Sequence, residues 1–317
     1  MAEIPYTDEQ LILAARLYYI DGLSQAEIAR MTRVSQAKVS RMLALARERG
    51  IVRITVPEYE PRNSALESEL QNRLGLKHAV VIRAAMQRAE DLRHTLGYFA
   101  APVVSRWIEP GSVVGIAGGR AMRALVEHMR PAGPASGVTV AQTMGNIDSS
   151  PGAYDALELG RTLARRWSAA FLTLNTPAIL PDKETCKRLL GLDQIRGVLR
   201  ALDGASLVFV GIGTLENSVF VERGVLKARE MEVLREAGAV GEIGGRFFDA
   251  RGRECDTPLR HRVVSMPLDS LRKAPQVVAV VAGSDRTRGI LAAVRGGLVK
   301  SLVIDENGAS ALLGEAR

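Results

Sequence analysis

From Lys77 onward, short runs that are apolar throughout alternate with amphipathic stretches, and this alternation limits the possible folds more than any other feature of the chain. The apolar runs lie at 78–82, 112–117, 137–142, 170–174, 206–211, 276–282 and 298–304, each bounded by turn residues. Helical spacing fills the intervals at 90–107, 121–130, 154–167, 193–202 and 286–294. A strand with one wet face alternates apolar and polar residues, whereas a strand covered on both faces stays apolar. The expected fold class is therefore α/β, a doubly wound and mostly parallel sheet with helices on both faces. There is no internal repeat, and Pro131-Ala132-Gly133-Pro134 reads as a loop.

In such a sheet, ligands bind outside the carboxyl ends of the strands, where glycine lets backbone N–H groups approach an anion. Three loops have this form. They are Val114-Gly115-Ile116-Ala117-Gly118-Gly119-Arg120, Val210-Gly211-Ile212-Gly213-Thr214 and Ala282-Gly283-Ser284-Asp285-Arg286-Thr287-Arg288. A single glycine after a strand is ordinary turn geometry. Three such loops in one domain point to phosphate or a similarly oxygen-rich ligand, with Arg120 adding a charge-assisted bond. The glycine spacings match neither a dinucleotide fingerprint nor a phosphate loop with its lysine, which argues against a nucleotide. Glu242 and Asp249 flank 243–248 and would either accept from sugar hydroxyls or cap turns. His78, His94, His128 and His261 have no metal-ligand spacing, and Cys186 and Cys255 stand apart, so no metal, cofactor, disulfide or catalytic residue is expected.

Ahead of this domain, residues 24–43 read as two short amphipathic helices joined by a tight turn, a helix-turn-helix. Ser24 and Ser35 are N-caps. Ile28, Ala29, Met31, Val34, Val39, Met42 and Leu43 form the inward stripe. On the second helix Gln36, Ala37, Lys38, Ser40 and Arg41 remain outside, and with the cap Ser35 they include side chains suited to base edges and phosphates in a major groove. Between Ile28 and Arg53, seven basic residues face Glu48 alone, a local excess of about six charges that would act on phosphate. The net charge of +7 over 317 residues is by itself no more than solubility requires. Arg33 stands at the turn where glycine is usual, which implies a left-handed backbone at about 1 kcal/mol.

A helix from Thr7 to about Ile20 would scaffold this motif, Gly50 would end the recognition helix, and 51–56 reads as a strand closed by Pro57. That strand would be a wing beside DNA or the first strand of the following domain. Leu66, Leu70 and Leu74 recur in a helix ending at Gly75, a seam for dimer contact or for docking on the next domain. The expected organisation is a DNA-binding domain over 1–56, a linker with the leucine helix over 57–76 and an effector domain over 77–317. No apolar run reaches membrane length, and the first five residues lack the basic-then-apolar order of a leader, so a soluble cytoplasmic protein is expected.

Nearly the whole chain resembles the SorC-type sugar-binding transcriptional regulators of the DeoR-like group. The likeness rests on residues 15–25 with the recognition helix, Val114-Gly115-Ile116, Val210-Gly211-Ile212-Gly213, residues 234–242 running into Phe247-Phe248-Asp249, and residues 292–298. It implies an effector domain like those of ribose-phosphate isomerase and glucosamine-phosphate deaminase, kept as a sensor of a phosphorylated sugar or polyol without catalysis. It also implies homodimers or homotetramers on extended palindromic operators. Carried over by position, the effector site comprises Gly118, Gly119, Arg120, Gln142, Thr143, Gly211, Ile212, Gly213, Glu242 and Arg286, and DNA contact falls to Ser35, Gln36, Lys38, Ser40 and Arg41. Three positions depart from the pattern: Ala121 replaces a hydroxyl residue, Glu242 an aspartate and Arg286 a lysine. The rival expectations are a sugar-phosphate isomerase or deaminase with an added DNA-binding domain, and an assembly module that takes no ligand.

Overall fold

Three short helices build the amino-terminal unit, α1 (Asp8–Tyr19), α2 (Gln25–Thr32) and α3 (Gln36–Glu48). These belong to a computed structural model that describes residues 6–83, 88–133, 136–150 and 152–316; residues 1–5 and Pro134, read above for a leader and a loop, lie outside them. Thr7 and Ser24 close reciprocal capping boxes with Gln10 and Glu27, and Ser35 accepts from the Lys38 amide. Arg33 adopts φ 56° and ψ 38°, the left-handed conformation expected of the turn. Leu11, Ala14, Ile28, Val39, Leu43 and Ala46 form the core of this unit. Met31 is not among them: it is 67% exposed, on the outer side of α2.

The run 51–56 forms no strand. Val52 donates to the Ala46 carbonyl and packs with Ile51 against the helical unit, while residues 53–60 carry no regular structure. A lone β-branched run has no ladder to join here, so its propensity goes unused. The chain divides between Tyr59 and Glu60, so the leucine helix belongs to the second unit.

In the second unit, α4 (Ser64–Leu74) ends at a left-handed Gly75 and lies on β1 (His78–Ile82). Leu70 is fully buried, and Leu66 and Leu74 pack on the same cluster, so the leucine seam docks onto this domain. Glu67 fixes the helix further: its carboxylate accepts from the Val81 amide and pairs with Arg62. There follow α5 (Ala89–Ser105), β2 (Val113–Ile116), α6 (Arg120–His128), β3 (Thr139–Gln142), α7 (Ala156–Arg166) and β4 (Ala170–Leu172). The chain then crosses back through α8 (Lys183–Leu190) and α9 (Asp193–Asp203) to β5 (Leu207–Val210). Next come α10 (Val219–Glu222), α11 (Ala228–Glu236) and a hairpin of β6 (Gly241–Ile243) with β7 (Arg246–Phe248). A short 3-10 turn precedes α12 (Leu268–Lys273), β8 (Gln276–Val280), α13 (Thr287–Arg295), β9 (Ser301–Asp305) and α14 (Glu306–Glu315).

The seven long-sheet strands run β1-β9-β8-β5-β2-β3-β4, every neighbouring pair parallel. Alternate strand residues face opposite layers, as the pleat requires. Val80, Val114, Val140, Phe209, Val278 and Val303 meet α5, α6 and α7, whereas Ala79, Ala141, Val208, Ala279 and Leu302 meet the layer that includes α4, α9 and α14. The last strand starts three residues later than its apolar run, because Gly297 turns left-handed and Leu298 donates back to Ala293 at the end of α13. No helix is long and apolar enough to cross a membrane among the described residues.

Truncating the central docking residue, Leu70→Ala, is expected to cost about 3 kcal/mol through lost burial and the cavity left behind. Urea unfolding of the whole chain measures it, and a loss under 1 kcal/mol would show that the seam carries little of the docking.

Candidate functional site

Strand order reverses between β2 and β5: the chain leaves β2 outward to β3 and β4, then returns to the other side of β2. This is the place where an open parallel sheet leaves a crevice between diverging loops. The first two glycine loops meet there, so close that a Cβ on Gly211 would lie 3.3 Å from the Gly118 carbonyl. A cavity of about 930 Å³, counted to its open mouth, lies beside them.

Its walls come from all three glycine loops. Gly118, Gly119 and Arg120 lead into α6, with Gly119 at φ 140°, a conformation that side chains resist. Gly211, Ile212 and Gly213 form a second wall. Gly213 exchanges both backbone hydrogen bonds with Glu242, which ties the β6–β7 hairpin to this loop. A Cβ on Gly213 would stand 2.5 Å from the Glu242 carboxylate, so glycine is required by the approach itself. The third loop supplies Ala282 and Arg286, while its Gly283 amide is already bound by Asp305.

Glu242 is buried, and its carboxylate accepts from the Ser218 hydroxyl and the Gly245 amide. Burial pushes its pKa above the usual carboxylate range against the pull of those two donors. Three guanidinium groups also line the cavity, those of Arg93, Arg120 and Arg286. Arg120 is held bidentately by Glu222 at 2.7 and 3.0 Å, and Arg286 pairs with Asp285 at 2.7 Å. Among the described residues Arg93 has no hydrogen bond or ion pair. Burial pushes the Arg286 pKa down; Asp285 opposes this, and the fields of Arg120 and Arg93 add to it.

Gln142 and Thr143, expected in the site, do not line the cavity. The Gln142 amide bridges Asn146 to the Leu174 N–H, and the Thr143 hydroxyl donates to the Ile116 carbonyl. Both are buried where β3 ends, so they brace the wall on which Asn146 lines the cavity. Asp249 lies in the turn after β7, accepting from the Arg251 and Arg253 amides and the Arg253 guanidinium, which makes it a turn cap. In the amino-terminal unit, Ser35, Gln36, Lys38, Ser40 and Arg41 are all exposed on α3 or its cap. Among the described residues Lys38 and Arg41 have no ion pair, whereas Arg49 is tied to Asp8 and the Tyr6 carbonyl.

Residues 61–314 match the family described as "Putative sugar-binding domain". The chain belongs to this family, the SorC-type sugar-binding transcriptional regulators. The deoxyribonucleoside regulator of Bacillus subtilis is 29% identical over 305 residues, covering 96% of this chain and 97% of that protein. The transcriptional regulator LsrR of an Enterobacter species is 29% identical over 317 residues, covering 98% and 95%. The crystal structure of the full-length sorbitol operon regulator SorC from Klebsiella pneumoniae superposes with a TM-score of 0.73 at 27% identity, over 96% of this chain and 98% of that one.

Several residues of this regulator's cavity carried no signal in the sequence. Arg93, Asn146, Tyr154 and Asn217 lie outside the glycine loops, and only the tertiary fold brings them to the cavity. Arg93 is the most telling, because it sits on α5 among residues that read simply as an amphipathic helix. Glu242 has a measurable signature. Its folded-state pKa lies above the unfolded value, so its contribution to stability is greatest below the ordinary carboxylate range and is lost as pH rises through the elevated pKa. Glu242→Gln keeps an oxygen to accept from the Gly245 amide and presents its NH2 to the Ser218 hydroxyl, which can turn to accept from it, without the buried charge. It is expected to raise Tm at neutral pH, with the advantage over wild type shrinking as the solution is acidified; a gain independent of pH would contradict this origin.

Proposed function

We propose that this regulator binds operator DNA through α3 and that a phosphorylated sugar or polyol in the cavity changes its grip. The supporting observation is the cavity's polarity, with three guanidinium groups suited to a phosphate and the buried Glu242 and Asn146 suited to hydroxyls. On α3, Gln36, Lys38, Ser40 and Arg41 reach bases and phosphates, as the exposed and unpaired state of Lys38 and Arg41 favours. The working form is a homodimer or homotetramer in the cytoplasm, matching a palindromic operator by its own symmetry. Ligand shifts DNA affinity only by its different affinity for the two states, about 1 to 3 kcal/mol or roughly 5- to 150-fold.

An isomerase or deaminase is the second reading, favoured by one feature, a cavity carboxylate whose pKa is raised as a general base's is. One Glu242 oxygen accepts from the Gly245 amide and the other from the Ser218 hydroxyl, which supports a positioning rather than a proton-transferring part. No turnover of ribose 5-phosphate or glucosamine 6-phosphate is expected; isomerised or deaminated product would establish the enzyme.

Fluorescence anisotropy on the chain's own promoter region, with and without sugar phosphates, tests the regulator. Lys38→Ala with Arg41→Ala is expected to weaken binding and to flatten the salt dependence by about 1.8 in log–log slope if each removes one phosphate contact. Unchanged affinity and slope would remove α3 from the interface.

A further inference from the structure

The segment 214–223 contributes Asn217, Val219 and Phe220 to the cavity wall, and besides the Ser218–Glu242 bond three further contacts tether it. Asn217 donates to Asp285 at 2.7 Å, Glu222 grips Arg120, and Arg223 binds Asp155 and Asp148 while lying over the Tyr154 ring. Among the described residues, only the Glu222 tether engages a cation that lines the cavity. Both oxygens of Glu222 are used, one on each terminal nitrogen of Arg120, so the planar fork that would receive a ligand anion is already filled. The pair is about one-third exposed on each side, and ion pairs so placed are held weakly.

We infer that Glu222 is a built-in competitor for the ligand's anionic group, displaced only by an anion that carries more charge than a carboxylate. This rests on the reading of the cavity as the site of a phosphorylated ligand. A monoanionic carboxylate reaching Arg120 would exchange one carboxylate for another and gain nothing there. A phosphate dianion also meets Arg93, which has no partner of its own among the described residues, and Arg286, whose burial strengthens its pull on charge. A neutral sugar leaves the Glu222–Arg120 pair closed. Glu222 thereby lowers the affinity of any anion that must use Arg120, without being a ligand contact itself.

Isothermal titration of the full chain at fixed ionic strength tests this with inorganic phosphate, glucose 6-phosphate and gluconate, on wild type, Glu222→Gln and Arg93→Gln. Removing the competitor's charge is expected to tighten phosphate and glucose 6-phosphate by about three- to fivefold, the upper range for one exposed ion pair. Gluconate, which gains nothing at Arg120 in wild type, should tighten by no more than the phosphates do, so that the ratio of phosphate to gluconate affinity holds or widens in Glu222→Gln. Arg93→Gln should weaken both phosphates and leave gluconate nearly unchanged. Wild-type phosphate binding that Glu222→Gln weakens or leaves unaltered would overturn the competitor while the phosphate reading stands. Absence of phosphate and sugar-phosphate binding in wild type and variants alike would overturn both.

Discussion

A parallel sheet returns every strand to the same end, and the rest of this domain depends on where that winding reverses. Between β2 and β5 the crossovers diverge to opposite sides, so the loops following these strands cannot cover each other. They are left side by side, Gly118 against Gly211, at the carboxyl edge of a sheet whose own groups are paired. The cavity is what this topology leaves open. Everything that lines it arrives by a constraint already set: the first two loops by strand register, Arg286 by the third loop beside them, Glu242 by a hairpin sewn to Gly213 through two backbone hydrogen bonds.

Charge in the cavity is arranged on two levels. Arg120 and Arg286 are balanced by Glu222 and Asp285, so the protein does not hold three bare cations together. The balancing pairs are partly exposed and exchangeable, which leaves the guanidinium groups available to an anion at small cost. Glu242 is of the opposite kind: fully enclosed, with its charged form disfavoured by burial and supported by a hydroxyl and an amide. A buried carboxylate held in this way is a costly feature that packing alone would not require.

The fold was legible because both signals that specify it are local. Apolar runs and helical spacing locate the seven strands and the main covering helices within a few residues, and the caps at Thr7, Ser24 and Ser35 are written in single side chains. The sequence was misleading where a local preference had no tertiary partner, as in the β-branched run 51–56, and where a stripe residue sat at the stripe's margin, as with Met31. The β6–β7 hairpin was not among the expected strands, since strands of three residues lack the length for a period to show. Within the cavity the glycine loops were readable from their position after strands. Gln142 and Thr143 were carried over by position, yet their side chains turn to backbone groups, a choice decided by neighbours distant in sequence. Arg93 was invisible for the complementary reason: a helix pattern says which residues leave the core, not what they then face.

The three departures that the resemblance implies make physical sense together. With Ala121 there is no hydroxyl beside Arg120, and with Arg286 in place of lysine the neighbouring cation is a planar fork rather than a compact ammonium. Both leave guanidinium groups as the cations that line the cavity there, and Arg93 adds a third. Guanidinium is weakly hydrated and always charged, so it tolerates the burial that lowers the Arg286 pKa without losing its proton. The longer glutamate at 242 fits the same scheme. Its carboxylate fills the space left beneath Gly213, where no side chain can stand, and it meets Ser218 and Gly245 there. Such a carboxylate pairs with none of the three arginines, two of which are balanced by Glu222 and Asp285 instead.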